Sequence, residues 1–351
     1  MTWDRDVLPY GVFSVDSGSP RIGVAVDDGV LDLSAVLGPE WAVGSLNGFL
    51  AQGRQQWLEV RDQVRQLLDQ PLVPLADVRM HLPFEVADFV DFYASEQHAT
   101  NLGKIFRPNA EPLLPNWKHL PVGYHGRAGT VVVSGTDIRR PSGLRGPDPS
   151  YGPSLRLDVE VELGFVVGVP STLGSPVGTA DFEEHVFGVV LVNDWSARDI
   201  QAYEYVPLGP FLGKSFGTSI SPWVVPLEAL PRVAAPVQEP AVADYLRVDG
   251  DWGLDIELSL ELNGEVLSRP PYASMYWTPP QMLAHMTANG ASLRTGDLFA
   301  SGTVSGPSDF GSLIELTWNE HFLQDGDTVT ISARTADGRW LGSVTGAILP
   351  P

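Results

Sequence analysis

The stretch RLDVEVELGFVVG, residues 156–168, decides the reading of the fold. Leu157, Val159, Val161 and Leu163 alternate with Asp158, Glu160 and Glu162, the two-residue period of a strand with one apolar and one acidic face. A row of carboxylates on a strand is usually just solvated. From Leu163 onward, however, both faces turn apolar, as they do in GVVLVN (188–193) immediately before Asp194. Runs of that kind belong to strands buried on both sides, where a carboxylate is costly unless it is paired or bound to a metal. Glu160, Glu162 and Asp194 are therefore candidate site residues. A fourth is Asp91 in ADFVDFYASEQHATNLGKIFR (87–107), near His98, Lys104 and Arg107; taken alone it reads as a helix or turn cap.

If these four carboxylates converge, they make an all-oxygen site that suits a hard cation, Mg²⁺ or Ca²⁺, better than zinc or copper. The chain has no cysteine, so neither a thiolate ligand nor a disulfide can contribute. A net charge of -21 over 351 residues repels nucleic acid and anionic membrane surfaces, leaving a small molecule as the expected partner. The N-terminus has no basic stretch followed by an apolar run, and no stretch of about 18 apolar residues occurs, so a cytoplasmic location is expected.

Working outward, 36 glycines and 30 prolines break the chain into short pieces and favour strands over long helices. RIGVAV (21–26) and VLDLSAV (30–36) flank an Asp28-Gly29 pair, which predicts a tight hairpin in a small N-terminal β module. Trp57, Val60, Val64, Leu67 and Leu68 recur at helical spacing and predict one covering helix. The proline-punctuated segment from Pro71 to Pro83 reads as a connection, dividing the chain near residue 80 into modules 1–80 and 81–351. In the larger module, Leu254 to Leu262 alternates with polar residues and meets Asn263-Gly264, a strand entering a hairpin. Thr278-Pro279-Pro280-Gln281 predicts a helix start, with its end near Asn289-Gly290. LIELTW (313–318) and DTVTISA (327–333) read as strands. The expected fold is thus mainly β, of α+β type.

Three blocks, DFYASEQHATNLGKIFR (91–107), LLPNWKHLPVGYHGRAGTVVVSGTDIRRP (113–141) and VNDWSARDIQAYEYVPLGPFLGKSFGTSISPWVVP (192–226), resemble the fumarylacetoacetate hydrolase family. The likeness extends through MYWTPPQMLAHMTANGASLRTGDLFASGTVSG (275–306), SLIELTW and FLQDGD to the N-terminal LPYGVFSV and RIGVAV. It implies a small SH3-like N-terminal barrel, a β-sandwich roll catalytic domain, and a homodimer. It also implies metal-dependent hydrolysis of a carbon–carbon bond in a β-diketo acid, fumarylacetoacetate giving fumarate and acetoacetate, the last step of tyrosine and phenylalanine breakdown. By the same resemblance Asp91, Glu160, Glu162 and Asp194 hold the divalent metal, His98 is the catalytic base, and Glu315 orients it. Arg198 and Lys214 steady negative charge, while Tyr93, Arg107, Tyr124, Gln201, Tyr205 and Thr303 contact substrate. Lys214, Gly217 and Thr218 border a second cation position in the family. The chain is shorter than animal members, with tighter segments before Met80, around 171–179 and after Trp318.

Other readings weigh less. His81, His119, His125, His185, His285 and His321 read as surface or structural groups. Gly-Lys-Ser at 213–215 lacks the spacing of a phosphate loop, since three residues rather than four separate Gly209 from Gly213. Acylpyruvate hydrolysis or oxaloacetate decarboxylation on the same scaffold is the nearest alternative. A calcium-dependent binding protein would have no need of His98 with Glu315.

Overall fold

In the computed structural model, which describes residues 2–351, mixed α+β architecture is dominated by sheet and carries few helices. A thirteen-stranded sheet has the principal order Val73–Pro74, Gly29–Asp32, Arg21–Val26, Tyr10–Val15, Trp223–Pro226, Val186–Asp194, Val161–Val167, Leu298–Ala300, Phe89–Phe92 and Gly123–His125. A five-stranded sheet runs from Glu265–Ser268 through Ile256–Leu262, Thr328–Thr335 and Trp340–Leu349 to Ile138–Arg139. Leu191 from the large sheet and Trp195 just beyond its strand share one core with Leu258, Ile331 and Val344 from the smaller.

The alternating stretch behaves as its apolar half predicts. Leu157–Asp158 pairs with Ser196–Ala197, and Val161–Val167 pairs antiparallel with Val186–Asp194. Because the chain packs on both faces, the acidic side is not solvated: Asp158, Glu160 and Glu162 are all buried. The Asn263-Gly264 hairpin forms with positive φ at both residues, and Thr278 and Gln281 close a capping box on helix Pro279–Thr287.

The N-terminal region departs from expectation in three ways. No closed barrel is seen among the described residues; instead the first strands run edge to edge into the rest of the large sheet, Tyr10 opposite Val224 and Gly11 opposite Trp223. The hairpin turn falls on Asp27-Asp28, with the positive φ at Asp27, because Gly29 pairs with Val26 as the first residue of the next strand. The segment 71–83 is more than a connection, since Val78–Met80 pairs with Phe13–Val15. Helix Arg54–Gln66 buries Trp57, Val60 and Val64 as the spacing predicts, while Leu67 and Leu68 lie beyond its end.

LIELTW is not a strand. Leu313–Leu316 is a single helical turn, because the carboxylate of Asp158 accepts the amides of Leu313 and Ile314 and so satisfies the N–H groups that open it. DTVTISA lies in strand Thr328–Thr335 as expected.

Candidate active site

Parallel pairing of Phe89–Phe92 with Leu298–Ala300 sets Asp91 beside the strand pair that carries Glu162 and Asp194. Oxygens of Asp91, Glu162 and Asp194 lie within 4.8 Å of one another, all three residues buried. Burial, together with the charges of its neighbours, holds the Glu162 and Asp91 carboxyls well above the usual carboxylate range. Neither Glu162 oxygen nor Asp91 Oδ1 has a hydrogen-bond partner. Buried acceptors are rarely left so. The residues therefore fit a hard divalent cation, with donors to spare and no protein group to use them.

Glu160 stands beside that cluster rather than within it. Its carboxylate is held by cations: Arg198 Nη2 donates to Oε1 at 2.7 Å, and Lys214 donates to Oε2. Despite burial, those two charges keep its carboxyl well below the ordinary range. Lys214 Nζ also donates to Asp194 Oδ2 at 2.5 Å and lies 4.0 Å from Asp91. The lysine thus bridges Glu160 to the three-carboxylate cluster.

Ser95 caps helix Glu96–Phe106 by accepting the His98 amide at 3.2 Å, which fixes His98 in the first turn. His98 Nδ1 is 2.7 Å from Glu315 Oε2, and Nε2 is 3.4 Å from Glu160 Oε1. Burial disfavours the imidazolium, but the two carboxylates outweigh it and raise the His98 pKa to about 9. Glu315 is itself oriented by Asn101 Nδ2 at 3.0 Å, Ser305 Oγ at 2.9 Å and Ser312 Oγ at 2.8 Å.

These groups open on a cavity of ≈ 340 Å³ lined by Asp91, Glu160, Glu162, His98, Arg198 and Lys214. All six residues expected at the substrate also line it: Tyr93, Arg107, Tyr124, Gln201, Tyr205 and Thr303. Thr303 Oγ1 is buried without a partner, and Arg107 Nη2 donates to the Pro112 carbonyl at 2.8 Å. Thr303 reaches the cavity because Gly302, at φ 74°, lets the chain pass where a Cβ would stand 2.2 Å from the Phe92 carbonyl. Of the residues assigned to a second cation, Thr218 donates to Asp194 Oδ1 at 3.1 Å and Gly217 is buried beside Ile138; neither lines the cavity. His125 is exposed at the sheet edge, 3.9 Å from Asp88, and does not line the cavity.

Sequence reasoning assigned no role to Asp158, Asn101, Ser305 or Ser312. For Asp158 a signal existed, since it shares the face of Glu160 and Glu162. The others support Glu315 from up to 214 residues away, and no local pattern marks them.

Two family models cover the chain: residues 6–83 match "Fumarylacetoacetase N-terminal" and residues 88–348 match "Fumarylacetoacetate (FAA) hydrolase C-terminal". The chain is 46% identical to the fumarylacetoacetase of Rattus norvegicus, over 98% of this chain and 95% of the relative. With that of Arabidopsis thaliana the identity is 42%, over 98% and 94%. Among solved structures, a fumarylacetoacetate hydrolase from Exiguobacterium antarcticum superposes with a TM-score of 0.64 at 21% identity, over 98% of this chain and 100% of that one. A maleylpyruvate hydrolase from Sphingobium, in complex with manganese (II) and pyruvate, gives 0.59 at 17%, over 97% and 99%. At those identities the two structures establish a common fold only.

Proposed function

The chain belongs to the fumarylacetoacetate hydrolase family, whose chemistry is hydrolysis of carbon–carbon bonds, and on that premise we propose that it cuts fumarylacetoacetate into fumarate and acetoacetate at the end of tyrosine and phenylalanine breakdown. The observation that carries this reading is the buried His98–Glu315 pair, whose imidazole faces the same cavity as Asp91 and Glu162, two carboxylates with unpartnered oxygens.

Breaking the bond requires water to add to one carbonyl carbon and the neighbouring carbon to leave with the electron pair, which is tolerable only as an enolate. Asp91, Glu162 and Asp194, with Glu160 beside them, would hold the divalent ion, Mg²⁺ or Ca²⁺ by donor type. When bound, such an ion supplies the electrophilic pull on the diketone oxygens that both attack and departure need. His98 takes the proton from water at Nε2, while Glu315 fixes Nδ1 as the protonated nitrogen and stabilises the imidazolium. Arg198, Gln201 and Lys214 face the developing oxyanion, and Arg107 with Tyr93, Tyr124, Tyr205 and Thr303 binds the acid ends of the substrate.

The same reading includes division near residue 80, a cytoplasmic location and a symmetric homodimer. No helix among the described residues is long and apolar enough to cross a membrane. The hairpin Ser142–Arg145 and Ser150–Pro153 packs on helix Arg198–Glu204 and leaves Leu144, Tyr151 and Tyr203 exposed, apolar surface that a second copy would cover. The activity is tested by incubating the metal-loaded protein with fumarylacetoacetate and a panel of acylpyruvates, following loss of diketone absorbance and identifying products by mass. Fumarate and acetoacetate as the dominant products are expected; preferential turnover of an acylpyruvate would replace this assignment.

A further inference from the structure

Asp158 lies wholly inside the protein and lines no part of the cavity, yet two chains of contact that reach His98 both end on it. Its Oδ2 accepts from Arg198 Nε at 2.8 Å and from the Ile314 amide at 3.4 Å. Its Oδ1 accepts from the amides of Leu313 and Val159, each at 2.9 Å. On one side, Arg198 passes the contact on through Nη2 to Glu160 Oε1, which stands 3.4 Å from His98 Nε2. On the other, Leu313 and Ile314 open the helical turn that carries Glu315, and Glu315 Oε2 is 2.7 Å from His98 Nδ1.

We infer that Asp158 is a positioning residue for the reaction: one buried carboxylate fixes Arg198 against Glu160 and Glu315 against His98, and so places the imidazole from both of its nitrogens. This rests on the hydrolytic reading above and adds to it a residue acting only through others. Ser312, at the start of the turn, cannot replace it, since its hydroxyl makes no capping bond and donates to Glu315 instead. Nor can a neutral isostere. Asparagine offers one acceptor and one N–H pair, so at this wholly buried position a donor would face either Arg198 Nε–H or the Leu313 and Val159 amides. A carboxylate that only neutralised a buried arginine would need no contact with the Glu315 turn.

The test measures kcat, KM, metal content and melting temperature for full-length, metal-loaded wild type, Asp158→Asn, Arg198→Lys and the double variant, with fumarylacetoacetate as substrate. Displacing catalytic groups by about 1 Å costs roughly 10²-fold, so Asp158→Asn should lose kcat on that order at nearly unchanged KM and metal content. The double variant should fall no further than the worse single one, within about twofold, because the two residues act as one unit. Losses that multiply, or a wild-type kcat per folded molecule of Asp158→Asn, overturn the inference. Should Asp158→Asn fail to fold, Asp158→Glu keeps the charge but shifts the oxygens; a wild-type kcat per folded molecule there overturns it equally, and a selective fall in kcat supports it. A wild type inert toward fumarylacetoacetate would sink the functional reading itself, a result distinct from an active wild type with an unimpaired Asp158→Asn.

Discussion

Replacing Glu162 by Gln should make the metal-free protein more stable while removing its response to metal. Asp91, Glu162 and Asp194 present oxygens within 4.8 Å of one another. Two ionised groups at that distance repel by about 3.5 kcal/mol at an effective dielectric constant near 20. Lys214 relieves Asp194, and protonation relieves part of the remainder, so the net gain from deleting one charge is about 2 kcal/mol. Unfolding entropy of about 2.1 cal/mol/K per residue puts the 351-residue chain near 0.7 kcal/mol/K, and the gain becomes a rise of about 3 °C in Tm. Wild type should recover the difference when metal is added, since a hundredfold excess over Kd contributes about 2.7 kcal/mol, or about 4 °C. The assay is thermal melting of both proteins after chelation and after adding back Mg²⁺, Ca²⁺ or Mn²⁺. The sign with pH follows from carboxyls raised in the fold. Their stabilisation is fullest below the ordinary carboxylate pKa and is lost as pH rises through the shifted values, so the advantage of Glu162→Gln widens with pH. A less stable metal-free variant, or one that keeps the wild-type metal shift, would refute the assignment of these carboxylates.

His98→Ala should retain metal and bind a product-like diacid while losing roughly 10²- to 10⁴-fold in kcat. Glu315→Gln should lose less, because the glutamine oxygen still accepts a hydrogen bond from Nδ1–H but no longer favours the imidazolium; full turnover by a folded His98→Ala would eliminate the base role. Light scattering at micromolar concentration should return about twice the 38.0 kDa of one chain, and a monomer mass would show that the exposed hairpin and helix face is not a dimer contact.

Much of the fold was legible wherever a local rule was strong enough to override context. Asn263-Gly264 and the Thr278 capping box impose their geometry within four residues, and the apolar runs around Phe165 and Val190 announce burial without naming their partners. Where local and distant forces disagreed, the sequence misled. LIELTW alternates well enough for a strand, but Asp158, 155 residues away, supplies acceptors for its first amides and holds it as a helical turn. The site shows the same division. Glu162 and Asp194 could be suspected from burial on their own strands, whereas the engagement of Glu160 by Arg198 and Lys214 is created by tertiary packing. Family resemblance implies that these residues meet, but it carries no sign of which carboxylate the cations hold.

The edge-to-edge joint between Tyr10–Val15 and Trp223–Pro226 gives the first eighty residues a duty apart from catalysis. A chain beginning at residue 84 would leave unanswered the edge that Trp223 and Val224 present to Tyr10 and Gly11, an invitation to strand addition from neighbouring molecules. The N-terminal segment is in that sense an edge guard. Its tolerance for change should be narrow at Gly11, where a Cβ would stand 2.5 Å from the Trp223 ring and prise the guard from the strand it protects.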